Sequence, residues 1–221
     1  MGTIIRIASQ WRSDGTWQEI LDALRRQVRV AAGKEPSPSA ASIDSPTVKA
    51  TGIAADRGDD GGQKITRRKR HILVDTLGWL LVVVVTVASA DEGTGAPEVL
   101  ARLTAEHRSR LEWLWADSRS HDHRLEGWLV ENAAGSRIEV VRRPPGSEGD
   151  VKLPRRWVVE RTFAWLGRSR RKSRDDERST GSSEAMIKVS SIHRMLRFLK
   201  PDQSKKPVPF KYRELQGNVT G

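Results

Sequence analysis

Cysteine is absent from the 221-residue chain, which excludes a disulfide framework, a thiolate metal site and a cysteine nucleophile. Any metal must therefore be held by carboxylate or histidine. A long hydrophobic run is lacking too. The most apolar stretch, residues 77–90, is about 14 residues long and thick with β-branched valine, whereas a membrane-spanning helix needs about 20. No N-terminal segment combines a charged start, an apolar centre and a small-residue cleavage site. The expected location is cytoplasmic, with no membrane partner. Acids are outnumbered: Asp+Glu 28 against Lys+Arg 39 gives a formal net charge of +11 and a pI near 10.5. Such a surplus favours polyanionic partners, nucleic acid first and an anionic membrane surface second. Hydrophobic content of 37% over this length suits one sizeable domain, alone or with an appendage.

Periodicity sets the expected elements. Trp17, Ile20, Leu21, Leu24 and Val28 form the apolar stripe of a helix over residues 16–31 that Ser13 or Asp14 can cap. Glycine and two prolines in residues 33–39 mark a linker, so residues 1–36 are expected to be an amphipathic helix with its linker, ahead of a core domain at 37–199. A strand should end near Asp44–Ser45, because Pro46 is tolerated only at a strand's edge, end or bulge. Residues 51–63, rich in Gly and Asp, read as a loop. Arg70–Thr76 and Trp79–Ser89 form a hairpin across Leu77-Gly78, the second strand buried on both faces. A helix from Pro97 to about His107, a strand at Leu111–Ala116, a helix around Leu125, Trp128 and Leu129, and a strand at Arg137–Arg142 follow. A helix opened by Pro154 carries Val159, Phe163 and Leu166 on one stripe. The order is a mixed five-stranded sheet flanked by helices, an α/β fold. Residues 200–221 read as a disordered tail.

Three acids occupy positions that such a sheet brings together: Asp44 and Asp117 at strand ends, and Glu160 on the last core helix. Clustered carboxylates are hard ligands suited to Mg²⁺ or Mn²⁺, and two such ions can assist both the attacking and the leaving oxygen at a phosphodiester. Glu160 is the one acid among nine cations between Lys152 and Arg174. A carboxylate would repel a phosphate there unless a metal stood between them. Ala164 and Gly167, at i+4 and i+7, leave room beside it. Taken singly, each acid reads more readily as a solvated turn residue or cap.

The segment Leu153-Pro-Arg-Arg-Trp-Val-Val-Glu-Arg-Thr-Phe-Ala-Trp-Leu-Gly-Arg168, with Arg170-Arg171 and Ser183-Glu-Ala-Met-Ile187 behind it, resembles the catalytic-glutamate region of bacterial insertion-sequence transposases. These are DDE enzymes with an RNase H-like core, and the likeness is to the insertion-sequence family numbered five. Trp11–Trp17, Ser42–Lys49, Arg68–Gly78 and Trp115–Asp117 match further blocks of that family in order, across about residues 10–199. The resemblance implies that Asp44, Asp117 and Glu160 are the catalytic and metal-binding triad, with Mg²⁺ or Mn²⁺ as cofactor. It implies that Arg156 is the arginine preceding the glutamate, that the substrates are insertion-sequence ends and target DNA, and that the protein works as at least a homodimer in the bacterial nucleoid. The chain departs from the pattern at Ser118-Arg119-Ser120, Thr86, Leu153 and Gly167, and it starts ten residues before Trp11, where the family carries a further helical segment. The expectation is an N-terminally truncated transposase, with a decayed, inactive DNA-binding remnant as the alternative.

Phosphate contacts are expected from Lys64, Arg67, Arg68, Lys69 and Arg70 ahead of and within the hairpin, and from Arg155, Arg156, Arg161, Arg168, Arg170, Arg171 and Lys172 around the last core helix. Arg168 or Arg171 could replace a family lysine that Gly167 displaces. The first group equally suits a charge-protected edge strand. His121-Asp-His123 is a poor metal site on a polar segment. Of the eight tryptophans, Trp113, Trp128 and Trp165 lie on apolar patterns and are expected in the core, while Trp157 is the better base-stacking candidate.

Overall fold

Residues 2–51, 67–88, 92–117, 123–132, 136–141, 146, 153, 155–168 and 172–200 are described in a computed structural model of the chain. Two helices come first: α1 (Gly2–Ser13) and α2 (Thr16–Ala31), separated by Gly15 at φ 87°. Asp14 Oδ1 accepts from the backbone N–H and the hydroxyl of Thr16, at 3.0 and 2.6 Å, which ties down the start of α2. β1 (Ala40–Asp44) and β2 (Thr47–Lys49) follow, then the hairpin of β3 (Arg67–Asp75) and β4 (Leu80–Val87). The rest runs α3 (Glu92–Ala101), α4 (Ala105–Arg110), β5 (Trp113–Ala116), α5 (His123–Asn132), β6 (Arg137–Val140), α6 (Trp157–Gly167) and α7 (Thr180–Leu199).

The sheet is mixed, as expected, but holds six strands. β1 and β2 lie in succession along one edge of β3, with Asp44 opposite Ile72 and Thr47 opposite Lys69. β2 is thus the continuation of β1 past Pro46, whose carbonyl accepts from Arg70 N–H at 3.0 Å. Proline interrupts the strand without ending its line. Across its width the sheet is therefore five strands, in the order β4, β3, β1, β5, β6, antiparallel through the hairpin and parallel from β1 to β6. The topology is RNase H-like.

Alternation along the strands sorts the side chains into two cores. Ala41, Ile43, Leu73, Val82, Val84 and Leu114 face Val99 and Leu100 of α3 and Leu125 and Leu129 of α5. Ile72, Val74, Val83 and Val85 face Leu21 and Val28 of α2, Val158, Val159 and Leu166 of α6, and Ile187 and Met195 of α7. β4 is buried on both faces over most of its length, as its unbroken valines predict. α2 is no appendage: Arg29 pairs with Asp75 at 2.6 Å with both side chains buried, and Gln18 donates to the Leu81 carbonyl at 2.9 Å. The boundary expected near residue 36 therefore divides a helix from a core that it helps to build.

Three local expectations need correction. The single helix from Pro97 to His107 is two helices: α3 begins five residues before Pro97, and Thr104 caps α4 by accepting from His107 N–H. A side-chain cap of this kind competes with continuation of the preceding helix. The last core helix starts at Trp157 rather than Pro154, because Arg155 takes a left-handed turn at φ 72°. α7, whose N-terminus Ser179 caps by accepting from Ser182 N–H at 3.2 Å, adds a helix beyond those the periodicity predicts. The expected tail beyond residue 200 and, apart from residue 51, the loop expected over 51–63 lie outside the described residues.

Candidate active site

β1 and β5 are parallel neighbours, with Ala40 opposite Trp113 and Ser42 opposite Trp115. Carried two residues further, this register sets Asp44 opposite Asp117. Ile43, Leu114 and Ala116 point into the first core, so alternation sends both aspartates to the other face. That face is covered by α6. Arg156, at the N-terminal boundary of α6, brings Nη2 to 3.8 Å from Asp44 Oδ2, 3.9 Å from Asp117 Oδ2 and 3.7 Å from Glu160 Oε1. Glu160 lies one turn along the same helix. Acids from two strands and one helix thus surround a single guanidinium nitrogen.

The environments of the three acids differ. Asp44 and Asp117 are 19% and 16% exposed and Arg156 17%, while Glu160 is 47% exposed at the mouth. Burial pushes the Asp44 carboxyl above its ordinary range; the Ser45 N–H bond at 2.7 Å and Arg156 oppose this, and Asp117 and Glu160 reinforce it. Arg156 approaches all three carboxyl groups at once, so their centre is suited to a cation. Two polar atoms nearby are buried without hydrogen-bond partners: Ser42 Oγ, two residues before Asp44 on the same face, and Arg156 Nε. Among the described residues no group of three or more His, Asp or Glu is placed to hold a metal ion as it stands. The arginine occupies the position between them.

Arg155 helps to fix this geometry. Its left-handed backbone is unusual for a residue with a Cβ and is held by the surroundings. Its guanidinium pairs with Glu139 of β6 and lies 5.3 Å over the Trp115 ring. Behind Asp44, Ser45 Oγ is 2.6 Å from His71 Nδ1, and His71 Nε2 is 2.9 Å from Thr86 Oγ1. Burial, aided by Lys69, lowers the His71 pKa to about 4, so the ring is neutral. A Cβ on Gly95 would collide with that ring, which accounts for glycine there. The sequence pattern gave no sign that His71, Ser45 and Gly95 act together.

The cations expected at phosphate fall into different settings. Arg68 and Arg70, expected on a DNA-facing strand, are buried: Arg68 pairs with Asp175 at 3.0 Å, and Arg70 reaches Asp175 at 3.6 Å and the Lys172 carbonyl at 2.7 Å. Lys172 is buried as well. Desolvated side chains held this way do not reach a DNA backbone, and the expectation is corrected for these three. Arg67, Lys69 and Arg161 are half-buried, Arg161 donating to the Leu77 carbonyl at 2.9 Å. Arg155 and Arg168 are exposed. Lys64, Arg170 and Arg171 lie outside the described residues, as does His121. Trp113, expected in the core, is exposed, and Trp157, expected to be free for stacking, packs against the second core under Arg161.

A five-strand-wide mixed sheet with acids at the ends of its adjacent parallel strands, and helices on both faces, defines an RNase H-like α/β domain. Residues 35–192 match the family model described as transposase DDE domain, and the chain belongs to that family, a family of nuclease-type enzymes acting on DNA. No curated protein matches the chain. No described helix is long and apolar enough to cross a membrane.

Proposed function

We propose that the chain is an insertion-sequence transposase, of the kind the family numbered five comprises, that cuts DNA at element ends and joins them to a target. The observation that carries this reading is the convergence of Asp44, Asp117 and Glu160 on Arg156 Nη2. Their oxygen donors fit Mg²⁺ or Mn²⁺, and the position that the guanidinium holds is one where a cation is already favoured. A divalent ion there would lower the charge barrier to attack on phosphorus and aid departure of the leaving oxygen.

In the proposed reaction, water attacks the phosphodiester at the element end, and the 3′ oxygen leaves as a free hydroxyl. That hydroxyl then attacks a target phosphodiester, forming one P–O bond as another breaks. Asp44 and Asp117, fixed by strand register, supply rigid ligands. Glu160, exposed on its helix, would supply the third ligand. With a divalent ion held by the three acids, the Arg156 guanidinium would be free to meet the phosphate charge. Arg155 and Arg168 extend the positive surface along the backbone. Handling two ends calls for at least two protomers.

The test is nicking of DNA that carries the element's ends. Glu160→Gln keeps the fold and DNA affinity and abolishes Mg²⁺-dependent nicking, since a neutral amide is a far poorer ligand for a hard cation. Ca²⁺ supports binding without turnover. Nicking by the unmodified chain no greater than by Glu160→Gln, in Mg²⁺ and in Mn²⁺, replaces this reading with that of a DNA-binding remnant.

A further inference from the structure

One buried group takes no part in the proposed chemistry. His71, in the middle of β3, is 2% exposed, and both of its ring nitrogens are bonded to hydroxyls. The bonds run in a row across three strands. The register that sets Asp44 opposite Ile72 and Thr47 opposite Lys69 puts Ser45, at the junction of β1 and β2, directly opposite His71. Thr86 of β4 is a diagonal neighbour, since His71 pairs with Val84. A neutral imidazole carries one N–H and one lone pair, so it donates to one hydroxyl and accepts from the other. Against the flat of the ring lies the α3 backbone at Gly95, with no room for a Cβ. A side chain bonded at both nitrogens and wedged in this way does not reorient.

Ser45 is where that hold meets the acids. Arg70 N–H donates to the Pro46 carbonyl, so by alternation the Ser45 N–H points away from β3. It donates instead to Asp44 Oδ1 at 2.7 Å. With Oδ1 engaged there, Oδ2 is the Asp44 oxygen that faces Arg156, at 3.8 Å. Pro46 confines the Ser45 backbone to extended conformations, and His71 Nδ1, 2.6 Å away, anchors its hydroxyl. Backbone and side chain of Ser45 are both restrained, and the amide that orients the carboxylate is fixed with them.

Resting on the reading of Asp44, Asp117 and Glu160 as a divalent-cation site, we infer that His71 is a positioning residue for Asp44. Asp44 lies on the α6 face of the sheet and the His71 ring on the α3 face, so the ring acts through Ser45, fixing which carboxylate oxygen turns to the other two acids. Thr86, on the far nitrogen, steadies the ring without touching that link. Groups that orient a ligand from behind account for about ten- to hundredfold of metal affinity.

Mn²⁺ is titrated into the full chain without DNA, the free ion being read from its electron paramagnetic resonance signal, and nicking is followed in parallel. Ser45→Ala, which removes the hydroxyl and keeps the amide, weakens Mn²⁺ binding about tenfold and raises the Mn²⁺ concentration for half-maximal nicking by the same factor. His71→Gln weakens binding in the same direction, and Ser45→Thr, which keeps the hydroxyl, binds as the unmodified chain does. Thr86→Val lowers the melting temperature at least as far as Ser45→Ala does but leaves Mn²⁺ affinity close to that of the unmodified chain. Unchanged Mn²⁺ affinity in Ser45→Ala overturns the inference, and so does a loss of affinity that simply follows melting temperature across the variants, Thr86→Val included. The outcomes separate the two readings: Mn²⁺ binding that Ser45→Ala leaves unaltered removes the role of His71 and keeps the cation site, whereas no Mn²⁺ binding by the unmodified chain removes both.

Discussion

Asp44 and Asp117 end adjacent parallel strands in a register that sets them side by side, although 72 residues of chain intervene. Ser42 opposite Trp115 is the last pair of the ladder, and the two aspartates stand just beyond it. Carboxylates so placed repel each other, and burial adds to the penalty at Asp44. A carboxyl whose folded pKa is raised weakens the fold above that pKa and ceases to do so once acid neutralises it. Asp44→Asn should therefore raise the thermal midpoint at neutral pH by a few degrees, with the gain shrinking as pH falls into the carboxylate range. Melting curves of the two proteins across pH check this, and a variant that melts lower at neutral pH contradicts it. Such a gain in stability from loss of a charged site residue is the expected trade-off at a functional cluster.

Arg156 is a counter-charge shared by the three acids. Arg156→Ala exposes three acids to one another and should lower the melting temperature in chelator by several degrees, consistent with loss of about 1–2 kcal/mol. Divalent cation should then stabilise the variant more than the unmodified chain, because the competing guanidinium is gone. Differential scanning calorimetry with and without Mg²⁺ measures both effects. Equal stabilisation of the two proteins contradicts the proposed competition.

Asp175 fastens the segment before α7 to the sheet. It is fully buried, pairs with Arg68 and Arg70, and accepts from Ser183 Oγ at 2.5 Å. Removing one partner of a buried ion pair leaves an uncompensated charge, at a cost of about 3–5 kcal/mol. Asp175→Ala should therefore unfold at much lower denaturant concentration. A loss below about 1 kcal/mol, the scale of surface pairs, would show that the arginines are solvated instead.

Two buried histidines, His71 and His107, have their pKa lowered to about 4 by burial, in His107 with help from Arg25. The unfolded chain takes up these protons near pH 6.5, and the folded chain does so only near 4. Stability is therefore complete above about pH 6.5 and is lost as pH falls towards 4, by on the order of 1–3 kcal/mol per histidine. Denaturant titrations between pH 7 and 5 should show this fall, and His71→Gln should flatten it. A profile unchanged by that variant contradicts a neutral buried His71.

Much of this was legible in sequence because it rests on short-range pattern. Alternation and Pro46 located the strand ending at Asp44, the Leu77-Gly78 pair located the hairpin, and the apolar stripe from Trp17 to Val28 gave α2 its bounds. The basic residues mislead where their partners are remote in sequence. Arg68 and Arg70 look like solvent charge until Asp175, more than a hundred residues away, is brought against them. The division of α3 from α4 turned on one hydroxyl of Thr104, and the extension of the sheet by β2 on one carbonyl of Pro46.

The central claim is that Asp44, Asp117 and Glu160 share a divalent cation. Crystals of the protein soaked in Mn²⁺ and measured at the manganese absorption edge test it directly. The account predicts an anomalous peak between Asp44 and Asp117, within about 2.0–2.5 Å of their oxygens, with the Arg156 guanidinium displaced. A peak elsewhere, or Arg156 still between the three acids with no peak at saturating Mn²⁺, would contradict it.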